Sequence, residues 1–139
     1  MRVFTATTFS LVFFLAFPAL GGSIRQRPGH WQIRKQLEVP GVPADMPPVT
    51  FDVCLTKEAL EDPERTVPSD PKANCAIRDY RIEGGTARWR LDCPSSKMTG
   101  TGEISYGDTS YKGALRMQLD HGQRLIIKYT GKWLGECSN

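Results

Sequence analysis

The chain has 139 residues, 18 of them basic and 15 acidic, for a formal net charge of +3 at neutral pH. That length holds one ordinary domain with a real core and leaves no room for a second. So mild a charge gives composition alone no case for nucleic acid or for an anionic membrane as partner.

The N-terminus has a composition of its own. Arg2 is the only charge in residues 1–24, and Phe9-Ser10-Leu11-Val12-Phe13-Phe14-Leu15-Ala16-Phe17 is almost continuously apolar. Pro18 ends the run, and the small residues Ala19, Gly21, Gly22 and Ser23 follow. A positive start, an apolar stretch and small residues beyond it make a secretory signal peptide. A membrane-spanning helix needs about 20 consecutive apolar residues, more than this interrupted run supplies. Cleavage is expected after Gly21 or within two residues of it, which divides the chain into a signal peptide, 1–22, and a single domain, 23–139. No cysteine lies near the junction, so a lipid-modified N-terminus is not expected, and the product is periplasmic or secreted.

Beyond this segment the recurring pattern is period-two alternation. Trp31, Ile33, Leu37 and Val39 share one face of a first strand, with Gln32, Arg34, Gln36 and Glu38 on the other. Val49, Phe51, Val53 and Leu55 repeat the pattern in a second. Thr56 can cap one short helix over Lys57-Glu58-Ala59-Leu60-Glu61. Tyr80 and Ile82 match Trp89 and Leu91 across Gly84-Gly85, a two-residue hairpin signal. Ile104 and Tyr106 lead through Gly107-Asp108 to Tyr111, Leu115, Met117 and Leu119; after His121-Gly122 come Leu125, Ile127 and Tyr129. Two proline-rich stretches, 40–48 and 62–74, read as surface loops. The fold class is therefore all-β, a seven-stranded antiparallel meander in a curved sheet or small barrel with one short helix in a loop. A two-sheet sandwich is the second arrangement.

Cys54, Cys75, Cys93 and Cys137 all follow the signal segment, and an even set in an exported domain this small reads as two disulfides. Zinc sites need close pairs, whereas these gaps are 21, 18 and 44 residues, and His30 and His121 have no ligand spacing; no metal or other cofactor is expected. The hairpin chooses among the three pairings. With Glu83 opposite Thr86, facing residue numbers add to 169, and Cys75 with Cys93 gives 168, so one irregularity near the hairpin's open end brings them together. Cys54 is left for Cys137. Closing loops of these lengths contributes about 3 and about 4.5 kcal/mol.

Pro28-Gly29-His30-Trp31 opens the first strand, and Cys54-Leu55-Thr56 ends the second. The run from Trp89 to Cys93 leads to Met98-Thr99-Gly100-Thr101-Gly102-Glu103-Ile104-Ser105-Tyr106, then Tyr111-Lys112-Gly113 and Gly135-Glu136-Cys137. In order and spacing the chain resembles, over residues 27–138, a proteobacterial family of exported proteins, the domain of unknown function labelled thirty-six seventeen. The resemblance implies a periplasmic or secreted β-domain and brings no activity and no catalytic residue with it. In the 40–48 loop, methionine-rich in many relatives, only Met46 remains, so a methionine-based metal site is not implied.

Motifs for catalysis are missing: no GxSxG elbow, no CxxC, and Gly100-Thr101-Gly102 is followed by no phosphate-binding fingerprint. Two features point to binding instead. With the register above, Arg81 faces Arg88 and Asp79 faces Arg90, with Arg78 on the same element, a small basic patch suited to an acidic partner or a solvated outer face. Gly100, Gly102 and Gly113 fall on the inward face, where glycine leaves room for a covering ring of Trp89, Tyr106 or Trp31, or for a ligand. The expected function is that of an exported non-catalytic domain binding a small apolar ligand or an envelope protein. The alternatives are an inhibitor or accessory protein of an envelope enzyme, and a hydrolase whose carboxylates assemble in space.

Overall fold

A computed structural model describes residues 26–43, 46–62 and 74–138. The segment read as a signal peptide and nearly all of the 62–74 loop lie outside these residues. Seven strands form: β1 (Gly29–Glu38), β2 (Val49–Leu55), β3 (Ala76–Glu83), β4 (Thr86–Cys93), β5 (Met98–Tyr106), β6 (Ser110–Gln118) and β7 (Arg124–Gly135). The one α-helix among the described residues, α1 (Lys57–Glu61), begins where Thr56 Oγ1 accepts the Ala59 N–H at 3.2 Å. Among the described residues no helix is long and apolar enough to cross a membrane.

All strand pairs are antiparallel, in the order β2-β1-β7-β6-β5-β4-β3. β3 through β7 are the expected meander, but β2 does not continue into β3; β1 docks on β7 instead, which leaves β2 and β3 at opposite edges. The sheet is open, with β2 and β3 at its two edges, so the closed barrel and the sandwich both give way to the curved sheet. Trp31, Ala87 and Ile104 are almost wholly buried although no second sheet covers them among the described residues. The sheet must therefore curve around its own inner face.

That inner face carries the core: Trp31 from β1, Ala87, Trp89, Leu91 and Cys93 from β4, Ile104 from β5, Tyr111, Leu115 and Met117 from β6, and Tyr129 from β7. Alternation placed Val49 and Phe51 with this set, but they are 62% and 45% exposed. They sit on an edge strand with only β1 beside it, and alternation reports a face without saying how far a covering layer extends.

The hairpin turn has Gly84 and Gly85 both at positive φ, +56° and +76°, the conformation a two-residue loop between right-twisted strands requires. From it the expected register runs through Glu83↔Thr86, Ile82↔Ala87 and Arg81↔Arg88. The irregularity then falls in mid-strand, between Arg78 and Arg81, where Asp79 takes φ +51°. It was expected near the open end. Its position replaces the expected Asp79↔Arg90 pair with Arg78↔Arg90, followed by Ile77↔Leu91 and Ala76↔Asp92. The shift also delivers Cys75 to Cys93, with Cα atoms 4.1 Å apart and a disulfide between them. A second disulfide joins Cys54 on β2 to Cys137 just past β7, Cα atoms 5.7 Å apart.

Candidate functional site

The inward glycines are occupied ground. Gly102 is the direct cross-strand partner of Trp89, and a Cβ there would overlap the indole. At Gly100 a Cβ would meet the Met117 sulfur and come within 3.0 Å of the Arg116 carbonyl; at Gly113 it would run into Ile104 and the Glu103 carbonyl. A fourth glycine, Gly131, lies under Tyr111 in the same way. The Tyr111 ring reaches across it to Trp31, centroids 5.6 Å apart, and stands 5.7 Å from Tyr106. The space left by these missing side chains is filled by neighbouring ones. The buried indole N–H of Trp89 has no hydrogen-bond partner among the described residues. Burial also keeps two phenols neutral. Tyr129 is pushed up to about 12, and Tyr111 is raised by burial first and by the neighbouring Tyr106 and Tyr129 second.

The outer face is built differently. Strand register sets Arg78, Arg90, Thr101, Arg116 and Ile126 in one row across β3, β4, β5, β6 and β7. The row beside it begins Arg81-Arg88-Glu103, and the row on the other side runs Asp92-Thr99-Gln118-Arg124. A groove of about 760 Å³ follows these rows, lined by Arg78, Arg90, Thr101, Arg116 and Arg124, with Pro40 at its rim. A smaller depression of about 290 Å³ adjoins it, with Arg81, Arg88, Arg90 and Arg116 against Asp79 and Glu103. Six of the eight arginines in the described residues converge on these two connected hollows.

Carboxylates answer only part of this charge. Arg90 pairs with Asp79. Glu83 lies 3.5 Å from both Arg81 and Arg88, and Glu103 bridges Arg88 at 3.7 Å and Arg116 at 3.4 Å. These side chains are all 40% or more exposed, so each pair contributes about 0–1 kcal/mol and holds its guanidinium loosely. Arg78 and Arg124 have no carboxylate partner among the described residues.

Arg81 and Arg88 thus stand opposed on the outer face as the hairpin register requires. The larger set was not anticipated. Arg116 and Arg124 come from β6 and β7, and only the full cross-sheet register sets them beside β4. Elsewhere on the outer face, His30 Nε2 lies 3.2 Å from Asp52 Oδ2, and the residue opposite His30 is Cys54, committed to a disulfide. Among the described residues no three His, Cys, Asp or Glu side chains group as metal ligands. What the outer face can offer chemically is positive charge and hydrogen-bond donors on flexible arms whose roots are set by the strand register.

No curated protein and no solved structure matches the chain. A family model does match, over residues 26–137, a span that takes in all seven strands and all four cysteines. By that match the chain belongs to the family described as Protein of unknown function (DUF3617).

Proposed function

We propose that this chain is an exported, non-catalytic domain that binds an acidic partner on the outer face of its sheet. One observation carries the binding half of the reading: six arginines from four different strands converge on one face, in a protein whose overall charge is only +3. Export is supported by the residue 1–22 pattern and by a covalent framework suited to an oxidising compartment.

The test uses protein purified from the cell envelope and a fluorescent poly-glutamate probe, followed by anisotropy. Binding should be measurable at low ionic strength, weaken as salt rises, and disappear in Arg90→Glu/Arg116→Glu. Absence of binding at low salt, or an unaffected double variant, overturns the reading. The same preparation tests export: its first residue should lie between 20 and 26, and recovery of Met1 would contradict it.

A second reading, a small apolar ligand, has its supporting space at the rim rather than over the glycines. A groove of about 580 Å³ is lined there by Val39, Pro40, Val42, Leu119 and Leu125, with Val42 59% exposed. A hydrophobic-dye titration that saturates in the wild type and fails in Val42→Asp would favour it.

A further inference from the structure

We propose that the acidic group this face receives is a phosphoryl group, bound in the groove between Arg78, Arg90, Arg116 and Arg124; the inference rests on the acidic-partner reading above. Arg78 and Arg90 are direct cross-strand partners, like charges whose opposition costs free energy, and the one carboxylate beside them, Asp79, pairs with Arg90 and leaves Arg78 unanswered among the described residues. Arg90 and Arg116 flank Thr101 in the same row, two strand spacings or about 10 Å apart, so that long guanidinium arms from both sides can close over its hydroxyl. Thr99 and Gln118 stand opposite each other in the next row, followed by Arg124. Every polar side chain lining this groove except the Asp92 carboxylate therefore offers a donor.

The donor set fits a tetrahedral group better than a planar one. A carboxylate is satisfied by one guanidinium fork, and the face already meets that need for Asp79 and Glu103 from its own residues. Two guanidinium groups without a carboxylate partner among the described residues, two threonine hydroxyls and a primary amide remain, more donors than two oxygens in one plane accept. A phosphoryl group presents three acceptor oxygens in different directions and takes arginine forks from opposite sides. The choice of cation points the same way. Of the six lysines among the described residues none lines either hollow, and all six cations there are arginine. A site needing only diffuse charge would draw on both. The volume, about 760 Å³, exceeds a bare phosphate, and Pro40, Leu125 and Ile126 supply an apolar flank for what the phosphoryl group is attached to. A phosphate ester meets both conditions.

Envelope-purified protein is titrated by calorimetry with inorganic phosphate, glycerol phosphate and acetate at one ionic strength, and with phosphatidylglycerol vesicles. Glycerol phosphate should bind at least about tenfold more tightly than acetate, and Arg78→Gln and Arg124→Gln should each weaken it about tenfold. Both positions are exposed and free of ion pairs among the described residues, so the variants should unfold at the wild-type midpoint, and Arg78→Lys should bind less well than wild type because the fork is gone. Binding of the soluble ester alone assigns a free phosphate ester; additional binding to vesicles, lost in the same variants, assigns a lipid headgroup. Equal affinity for acetate and phosphates, or unchanged binding in Arg78→Gln and Arg124→Gln, overturns the phosphoryl assignment while leaving poly-glutamate binding intact. Absence of poly-glutamate binding by the wild type as well would overturn the acidic-partner reading with it.

Discussion

Trp89 covers Gly102, the residue directly across the β4–β5 ladder from it, so one strand supplies the ring and the next supplies the absence of a side chain beneath it. Flat rings over glycines let a strongly curved sheet keep close contact at its inner surface. The pairing recurs two strands away with Tyr111 over Gly131.

The first prediction follows from that contact. Gly102→Val should lower stability by about 1–3 kcal/mol, read as a lower denaturant midpoint, because the new side chain enters space the indole holds. In a Trp89→Leu background the same substitution should cost much less, since the two residues are coupled through one volume. Additive costs in the double variant would show that the ring does not occupy the space over Gly102.

Asp79 separates backbone from charge. It sits at φ +51° in the β3 bulge and pairs with Arg90 at a half-exposed site. Asp79→Asn keeps a residue that tolerates this conformation and should change stability by only a few tenths of a kcal/mol. Asp79→Val forces a β-branched residue into it and should cost about 1–2 kcal/mol. Thermal unfolding of both variants measures the difference, and equal losses would contradict the bulge.

The buried phenols set an alkaline limit. An unfolded tyrosine loses its proton near pH 10, whereas burial holds that of Tyr129 to about 12. The fold's preference for the neutral phenol is fully in force below pH 10 and is lost as pH climbs towards 12. Tyrosinate absorbance should therefore rise together with unfolding across that window. Tyr129→Phe should shift the unfolding midpoint upward in pH. Full titration of all tyrosines in a still-folded domain would exclude this account.

The disulfides are open to direct mapping. Non-reducing digestion should yield a Cys75–Cys93 peptide and a Cys54–Cys137 peptide. Replacing each pair with alanine should cost about 3 kcal/mol for the 18-residue separation and about 4.5 for the 83-residue one. A Cys54–Cys75 peptide would mean that β3 and β4 do not pair as described.

Strands, turn and cysteine pairing could be read from the chain because each is written in local signals: alternation, a Gly-Gly turn, and residue numbers that add to nearly the same value. Other features depend on what the full sheet brings together. Asp79 tolerates a left-handed conformation but stands inside an otherwise regular alternation with no glycine beside it, so the bulge that moves Arg78 opposite Arg90 stayed hidden. Gly131 lies in phase with Leu125, Ile127 and Tyr129, yet a glycine between Thr130 and Lys132 resembles the end of a strand, and β7 runs on to Gly135. The arginine row was obscured for another reason. Net charge averages over a whole surface, and only the sheet order sets Arg116 on β6 two strands from Arg90 on β4.

Both bridges are anchored at the margins of the sheet. Cys54 belongs to β2 and Cys75 immediately precedes β3, the two outermost strands, and each is tied to a residue nearer the middle. An open sheet comes apart from its borders inward, since a border strand is held by one neighbour where an inner strand is held by two. The oxidised molecule has these seams sewn at one end each. In a reducing compartment the same fold would have two loose hems of unpaired backbone amides and carbonyls, the surfaces from which chains stitch to one another and aggregate. Oxidation of the four sulfurs thus holds each border strand in register at one end.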